Sequence, residues 1–291
     1  MTKRNSKKSR RNAKSVEAKK AEVQGLLDRL EEGVESVRSS EGWAKWLRFQ
    51  SSLYRYSWNN TMLISLQCPE ASIVMGFRKW QDNGRQVRKG EKSIKILAPC
   101  FRKRTNEKTG EEESVLAFFR TVSVFDVSQT DGEELPLPCQ PLEGGDSGLY
   151  AALKAHSEKR GVPVRSEVIP GMAHGYYDCI GKFIAVDSSD SEAQQAKTLA
   201  HEIAHSKLHS DLSRDEQTRG DRELEAESVA FIVCNHFGLE TGEYSFAYVA
   251  NWKGDGAVEG LKKSAGRIAK AAKEIIEAVE EAADKAVSKA A

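Results

Sequence analysis

Val23, Leu26, Leu27, Leu30, Val34 and Val37 recur at three- and four-residue intervals and predict an amphipathic helix over 15–38. Trp43, Trp46 and Phe49 continue at helical spacing. Beyond Gly84 and Gly90, which mark turns, the period changes. Apolar runs at Ser93–Ala98, Val115–Arg120 and Val122–Val127 predict strands, with Arg102–Glu113 as a polar hairpin loop. Gly175–Val186 predicts a second hairpin turning near Gly181 and Lys182, in which the unbroken Phe183–Val186 is a buried strand. Leu224, Val229, Ile232 and Val233 return to helical spacing, with Ala226 and Ala230 small enough for close packing. Ile268, Ile275, Ile276, Val279 and Val287 predict a thinly apolar helix over 260–291, docked or self-associating.

A Pro/Gly-rich acidic stretch separates the two patterned halves. The expected organisation is α+β in two domains: a basic arm without structure at 1–14, a first domain at 15–130, a linker at 131–148, a second domain at 149–255 and an Ala/Lys/Glu-rich helix at 256–291. At 291 residues, two modest cores are affordable. The net charge of +1 hides segregation, since Met1–Lys20 holds nine Lys and Arg against Glu17 alone. No apolar run follows it, so it does not read as a secretory signal, and no stretch is long enough to span a membrane. Five scattered cysteines, an odd number, argue for reduced thiols in a cytoplasm.

The candidate chemistry lies in His201-Glu202-Ile203-Ala204-His205. Histidines four apart share a helix side and can present ring nitrogens to one ion; Zn²⁺ suits such a pair. Glu202 is placed to take a proton from a water at that ion. Eighteen residues past His205, Glu223 and Glu227 share a face. Glu223 is either a third ligand or an ordinary surface carboxylate. Glu227 is placed to accept the second ring N–H of a ligating histidine. Glu225 is expected to be solvated. His209 extends the histidine series, but eight helical residues rise about 12 Å, too far for a shared ion. Tyr176 and Tyr177 are either donors to an oxyanion or plain core or surface tyrosines. His156, His174 and His236 have no metal-like spacing.

The first half mixes aromatic and basic residues, as proteins holding single-stranded nucleic acid do: rings stack on bases and cations follow phosphates. Trp43, Trp46 and Phe49 fit core packing equally well. From residue chemistry, the candidate contacts are Arg78, Trp80, Arg85, Arg88, Lys89 and Lys92.

Two resemblances follow from these segments. Thr198–His209 with Glu223–Phe231 resembles the ImmA/IrrE-type zinc metallopeptidases and the metallopeptidase half of ArdC-type antirestriction proteins. It implies His201, His205 and Glu223 as metal ligands and Glu202 as catalytic base. The family often carries Asn or Asp where this chain has Glu227. Tyr56–Ile64, Gly76–Trp80, Gly84–Ile94 and Val124–Thr130, four blocks in order, resemble the N-terminal domain of ArdC-type antirestriction proteins. That implies a single-stranded-DNA-binding domain and a tie to mobile elements or phages. The expected whole is a single-stranded-DNA-binding protein with a Zn²⁺-dependent peptidase domain acting on a protein substrate. A DNA-binding protein with a structural or vestigial zinc site is the alternative. A decoy for a restriction enzyme is less fitting, because such decoys are strongly acidic.

Overall fold

The structure is a computed structural model that describes residues 2–105, 111–133, 135, 145–210, 218–239 and 257–290. The chain forms two compact units, Met1–Glu35 with Asn59–Leu135, and Ser36–Trp58 with Pro136–Ala291. The expected linker falls mostly on 136–144, and the end of the second domain on 240–256; both lie outside the described residues.

The first unit opens with α1 (Thr2–Ser36), which is helical from Thr2, where a structureless arm over 1–14 is the sequence expectation. Its buried face is Leu26, Leu30 and Val34. Gly33 lets it approach α3 (Trp58–Gln67): a Cβ there would sit 2.9 Å from Met62 Cγ. The sheet has the order β1-β4-β3, with β1 (Val74–Gly76), β3 (Ile94–Thr105) and β4 (Glu112–Asp126) all antiparallel. Between β1 and β3 come α4 (Phe77–Asp82) and β2 (Arg85–Val87), and β2 pairs with β5 (Thr130–Gly132). Two strands predicted at 115–120 and 122–127 are one strand, because Thr121 pairs with Leu97 without a break. Within the predicted loop Arg102–Glu113, Arg102–Thr105 and Glu112–Glu113 are strand, while 106–110 lie outside the described residues.

Side-chain amides of α3 cap the edge of β3. Gln67 Nε2 donates to Lys95 O at 2.8 Å while its Oε1 accepts Lys95 N–H at 2.9 Å. Asn60 treats Leu97 the same way, at 2.9 Å in both directions. Each amide replaces the neighbouring strand that an edge otherwise lacks.

In the second unit, α2 (Ser40–Ser52) packs on α7 (Arg219–His236). Trp43 is fully buried and its indole N–H donates to Ser228 Oγ at 2.9 Å; Trp46, Tyr54 and Trp58 are also buried. The core alternative for Trp43 and Trp46 is therefore the one realised. Next come α5 (Gly145–Lys159), β6 (Val164–Glu167), β7 (Gly175–Asp178) and β8 (Phe183–Asp187), in a sheet of order β6-β8-β7. The predicted hairpin turns where expected, with Lys182 at φ 52°. Ile184, Ala185 and Val186 are wholly buried against α6 (Glu192–Leu208). Finally α8 (Ala257–Ala290) docks along α5, α6 and α7, burying Leu261, Ile268, Ile275, Ile276 and Val279. Together these elements make a two-unit α+β fold. No described helix is long and apolar enough to cross a membrane.

Candidate functional site

Two capped helices bring the site together. Ser191 caps α6, accepting from Gln194 N–H, and Thr218 with Asp221 forms a reciprocal capping box at the start of α7. One helical turn on α6 separates His201 from His205, and the second turn of α7 presents Glu223. His201 Nε2 and His205 Nε2 are 3.0 Å apart, with Glu223 Oε2 at 3.5 and 3.6 Å from them. Among the described residues, these three side chains are the group able to hold a metal ion.

The outer ring nitrogens fix the tautomers. His201 Nδ1 lies 3.0 Å from Glu227 Oε2, and a carboxylate only accepts, so Nδ1 carries the proton. His205 Nδ1 lies 3.0 Å from His209 Nδ1, and His209 Nε2 lies 3.1 Å from Glu225 Oε2. Glu225 accepts a hydrogen bond from His209 Nε2–H, which leaves His209 Nδ1 to accept from His205. Both ligand histidines therefore turn bare Nε2 lone pairs toward each other and toward a carboxylate. Three acceptors at 3.0–3.6 Å repel unless a cation sits among them. Ligands about 2 Å from a tetrahedral zinc stand roughly 3.3 Å apart, so the residues fit such an ion. The electrostatics favour a cation at this spot: burial disfavours the charged form of His201, but Glu223 and Glu227 outweigh it and raise the ring to about 9, so that without a metal a proton takes that place. Glu223, bonded by His201 and His205, is held well below the usual carboxylate range.

Glu202 is buried, and burial pushes its carboxyl up; the backbone N–H of Tyr177 on β7 bonds to it. This contact depends on Gly175, where a Cβ would lie 2.5 Å from Thr198 Cγ2 and 2.8 Å from Ala185 O. Tyr176 reaches Glu167 instead, at 3.1 Å.

Glu225 is not solvated, as its place in the pattern suggests, but fully buried. It receives His209, Ser264 and the guanidinium of Arg267 from α8. Burial alone would raise its carboxyl; these partners bring it down to about 2. His209 is not close enough to share the ion, yet it orients His205. Nothing in the local pattern reveals this, because Arg267 lies 42 residues from Glu225. Of the remaining histidines, His236 bridges Ser51 O and Glu280 at 3.1 Å each, and His174 pairs with Asp190 at 2.9 Å.

In the first unit the basic candidates divide. Trp80 is wholly buried, its indole N–H donating to Phe125 O at 2.9 Å, so it cannot stack on a base. Arg85 is spent on Thr130 and the carbonyls of Gly132 and Glu133. Arg88 pairs with Glu91 at 2.8 Å and Asp131 at 3.4 Å. Arg78, Lys89 and Lys92 are exposed. Arg88 and Lys89 line an open cavity of about 640 Å³ with Phe77, Gln86 and Phe125.

Comparison with known proteins matches both units. The family described as the N-terminal domain of anti-restriction factor ArdC matches residues 17–125, and the IrrE N-terminal-like domain matches 157–237. An uncharacterized protein of Bacillus anthracis is 27% identical over 92% of this chain, which spans about half (53%) of that relative's length. The Mn(II)-bound crystal structure of the antirestriction ArdC protein from plasmid R388 shares the fold: TM-score 0.51 at 22% identity, covering 89% of this chain and 97% of that one. Its metal-free form aligns at TM-score 0.49 and 25% identity over 79% of this chain and 86% of that one. The chain thus carries an ArdC-type N-terminal domain over residues 17–125, ahead of an IrrE-like domain over 157–237 that bears the His201, His205 and Glu223 cluster.

Proposed function

We propose that the protein binds single-stranded DNA through its first unit and hydrolyses peptide bonds at a divalent-metal site in its second. Its role on this reading is the antirestriction-type protection of incoming plasmid or phage DNA in the cytoplasm. The observation that carries the enzymatic part is the convergence of two bare Nε2 atoms and one carboxylate beside a buried glutamate.

His201, His205 and Glu223 would hold the ion. Two imidazoles and one carboxylate accept several divalent metals, and zinc binds such nitrogen-rich sites more tightly than manganese. Bound there, it supplies Lewis acidity, bringing the pKa of a water from about 16 to near 7 and polarising a carbonyl. Glu202 takes the proton from the attacking water and delivers it to the leaving amine. Its burial and raised carboxyl suit a group that must both gain and release a proton. β7 is the outer strand of its sheet, and its Tyr177 N–H reaches Glu202. An extended peptide pairing with that edge would lie beside the carboxylate, held by main-chain bonds that demand little of its sequence.

Support for the DNA and antirestriction part comes from the ArdC family match and from the R388 protein that shares the fold. The test is proteomics of host cells expressing the wild type or Glu202→Gln, with metal content measured on both proteins. Host-protein fragments present only with the wild type, at equal metal content, are expected. Identical fragment patterns would remove the peptidase assignment and leave a DNA-binding protein with a structural metal.

A further inference from the structure

Among the described residues, no strand pairs with either edge of the outer part of the β3–β4 hairpin. The amides of Asn60 and Gln67 cap β3 only as far as Leu97, and β1 covers β4 only over Val124–Asp126. Beyond that, strands reaching Thr105 and starting at Glu112 form a two-stranded ribbon. Such a ribbon is marginal alone and persists here as the extension of a three-stranded sheet. It nevertheless displays Phe101 and Phe118, each 61% exposed, and Leu116 at 50%. Bare edges with exposed aromatics invite aggregation unless they serve a partner.

The register identifies one face. Alternation along β3 puts Ala98, Cys100, Arg102 and Arg104 together, opposite Arg120, Phe118, Val115 and Glu113 respectively. A bulge between Cys100 and Phe101 adds Ala117 to β4 and leaves the alternation of β3 intact. Phe118 thus lies between Arg120, two residues along its own strand, and Arg102, diagonally across. Among the described residues, no side-chain hydrogen bond or ion pair joins Arg102, Arg104 or Arg120 to another residue, and the face's lone carboxylate is Glu113, opposite Arg104. On the other face Lys103 is already paired with Glu112 at 2.7 Å.

We propose that this face of the ribbon is where the protein holds single-stranded DNA. A base stacks on Phe118, and Arg102 and Arg120 take the phosphates on either side of it. The inference rests on the single-stranded-DNA reading of the first unit and locates it. An exposed ring flanked by unpaired guanidiniums suits a strand of bases on a polyanion. It suits a protein strand less well, since three arginines would need acidic partners. It also accounts for the basic residues sought near α4 and β2, several of which are committed to their own unit.

The experiment measures fluorescence anisotropy of labelled oligothymidine with the full chain. Phe118→Ala should bind about tenfold or more weakly, and Phe118→Trp as well as the wild type. Arg102→Ala with Arg120→Ala should weaken binding and make its salt dependence shallower by about two counterions. Lys89→Ala with Lys92→Ala, at the cavity beside β2, is the comparison pair. Should Phe118→Ala lose its thermal transition, Phe118→Leu against Phe118→Trp decides instead, both being large enough to keep the strand. Ribbon variants that bind like the wild type while the Lys89 and Lys92 pair loses binding would move the site to the cavity and overturn the proposal. Loss of self-association with unchanged DNA affinity would assign the ribbon to a second copy of the chain, and also overturn it. A wild type that binds no single-stranded DNA would instead defeat the reading of the first unit itself.

Discussion

His205 Nδ1 stands 3.0 Å from His209 Nδ1, so one ring of the candidate metal pair is oriented by a third histidine one turn further along α6. His209 is anchored by Glu225, and Glu225 by Arg267 and Ser264 on α8. The ligand geometry therefore reaches through a buried chain of polar groups to the last helix. Partners of this kind fix a ligand's tautomer and typically change metal affinity about 10- to 100-fold.

His209→Ala should weaken zinc binding by about that factor, read by competition against a coloured chelator, while Glu202→Gln should not. Arg267→Met should act differently, because it removes a partner of a buried carboxylate. The cost is on the order of 3 kcal/mol of stability, visible as a lower unfolding midpoint. Equal zinc affinity in His209→Ala and the wild type would show that the 3.0 Å contact does not orient His205.

The ligand-bearing part of this centre was legible in the sequence because helical spacing is local. His201 and His205 share a face on any helix, and Glu223 and Glu227 on any other. What no spacing rule supplies is how two helices rotate against each other. Glu225 reads as solvated on α7 taken alone and is buried because α8 covers it. The same limit misplaced Trp80. An aromatic among cations reads as a stacking platform, but the short helix α4 turns it inward to Phe125 O. The ribbon's outer end reads as a loop because Arg102–Thr105 and Glu112–Glu113 are too polar to look like strand, and their hydrogen bonds come from pairing, not from burial.

Gly175→Ala tests whether β7 must lie tight on α6. The added methyl meets Thr198 Cγ2 at 2.5 Å and Ala185 O at 2.8 Å, and one of these is backbone. The strand must shift, at about 1–3 kcal/mol, and carry the Tyr177 N–H away from Glu202. Peptidase turnover is expected to fall more than metal content. Thr198→Ser in the same chain should recover only part of the loss, since Ala185 O remains.

Trp80→Phe separates core from contact in the first unit. It deletes the indole donor to Phe125 O and leaves a void in a wholly buried site. Stability should drop by roughly 1–3 kcal/mol, seen in urea unfolding. Single-stranded-DNA affinity of the still-folded protein should match the wild type. A selective loss of DNA binding without loss of stability would restore Trp80 as a contact.

His156 on α5 makes the second unit sensitive to mild acid. Burial, helped by Arg160, Lys207 and Lys159, lowers its ring from 6.5 to about 4, and its Nε2 is buried with no partner among the described residues. The unfolded chain therefore binds a proton at a higher pH than the folded one does. With the folded value depressed, the contribution to stability is fully present above about 6.5 and is lost as pH falls from there toward about 4. Since the ring is only partly buried, the loss between neutral pH and pH 5 should be on the order of 1–2 kcal/mol. His156→Leu should flatten the change in urea midpoint over that interval, because leucine has nothing to protonate. A variant whose stability falls as steeply as the wild type's would place the acid-sensitive group elsewhere. Zinc should be kept saturating at both pH values, so that proton competition for the metal site does not enter the comparison.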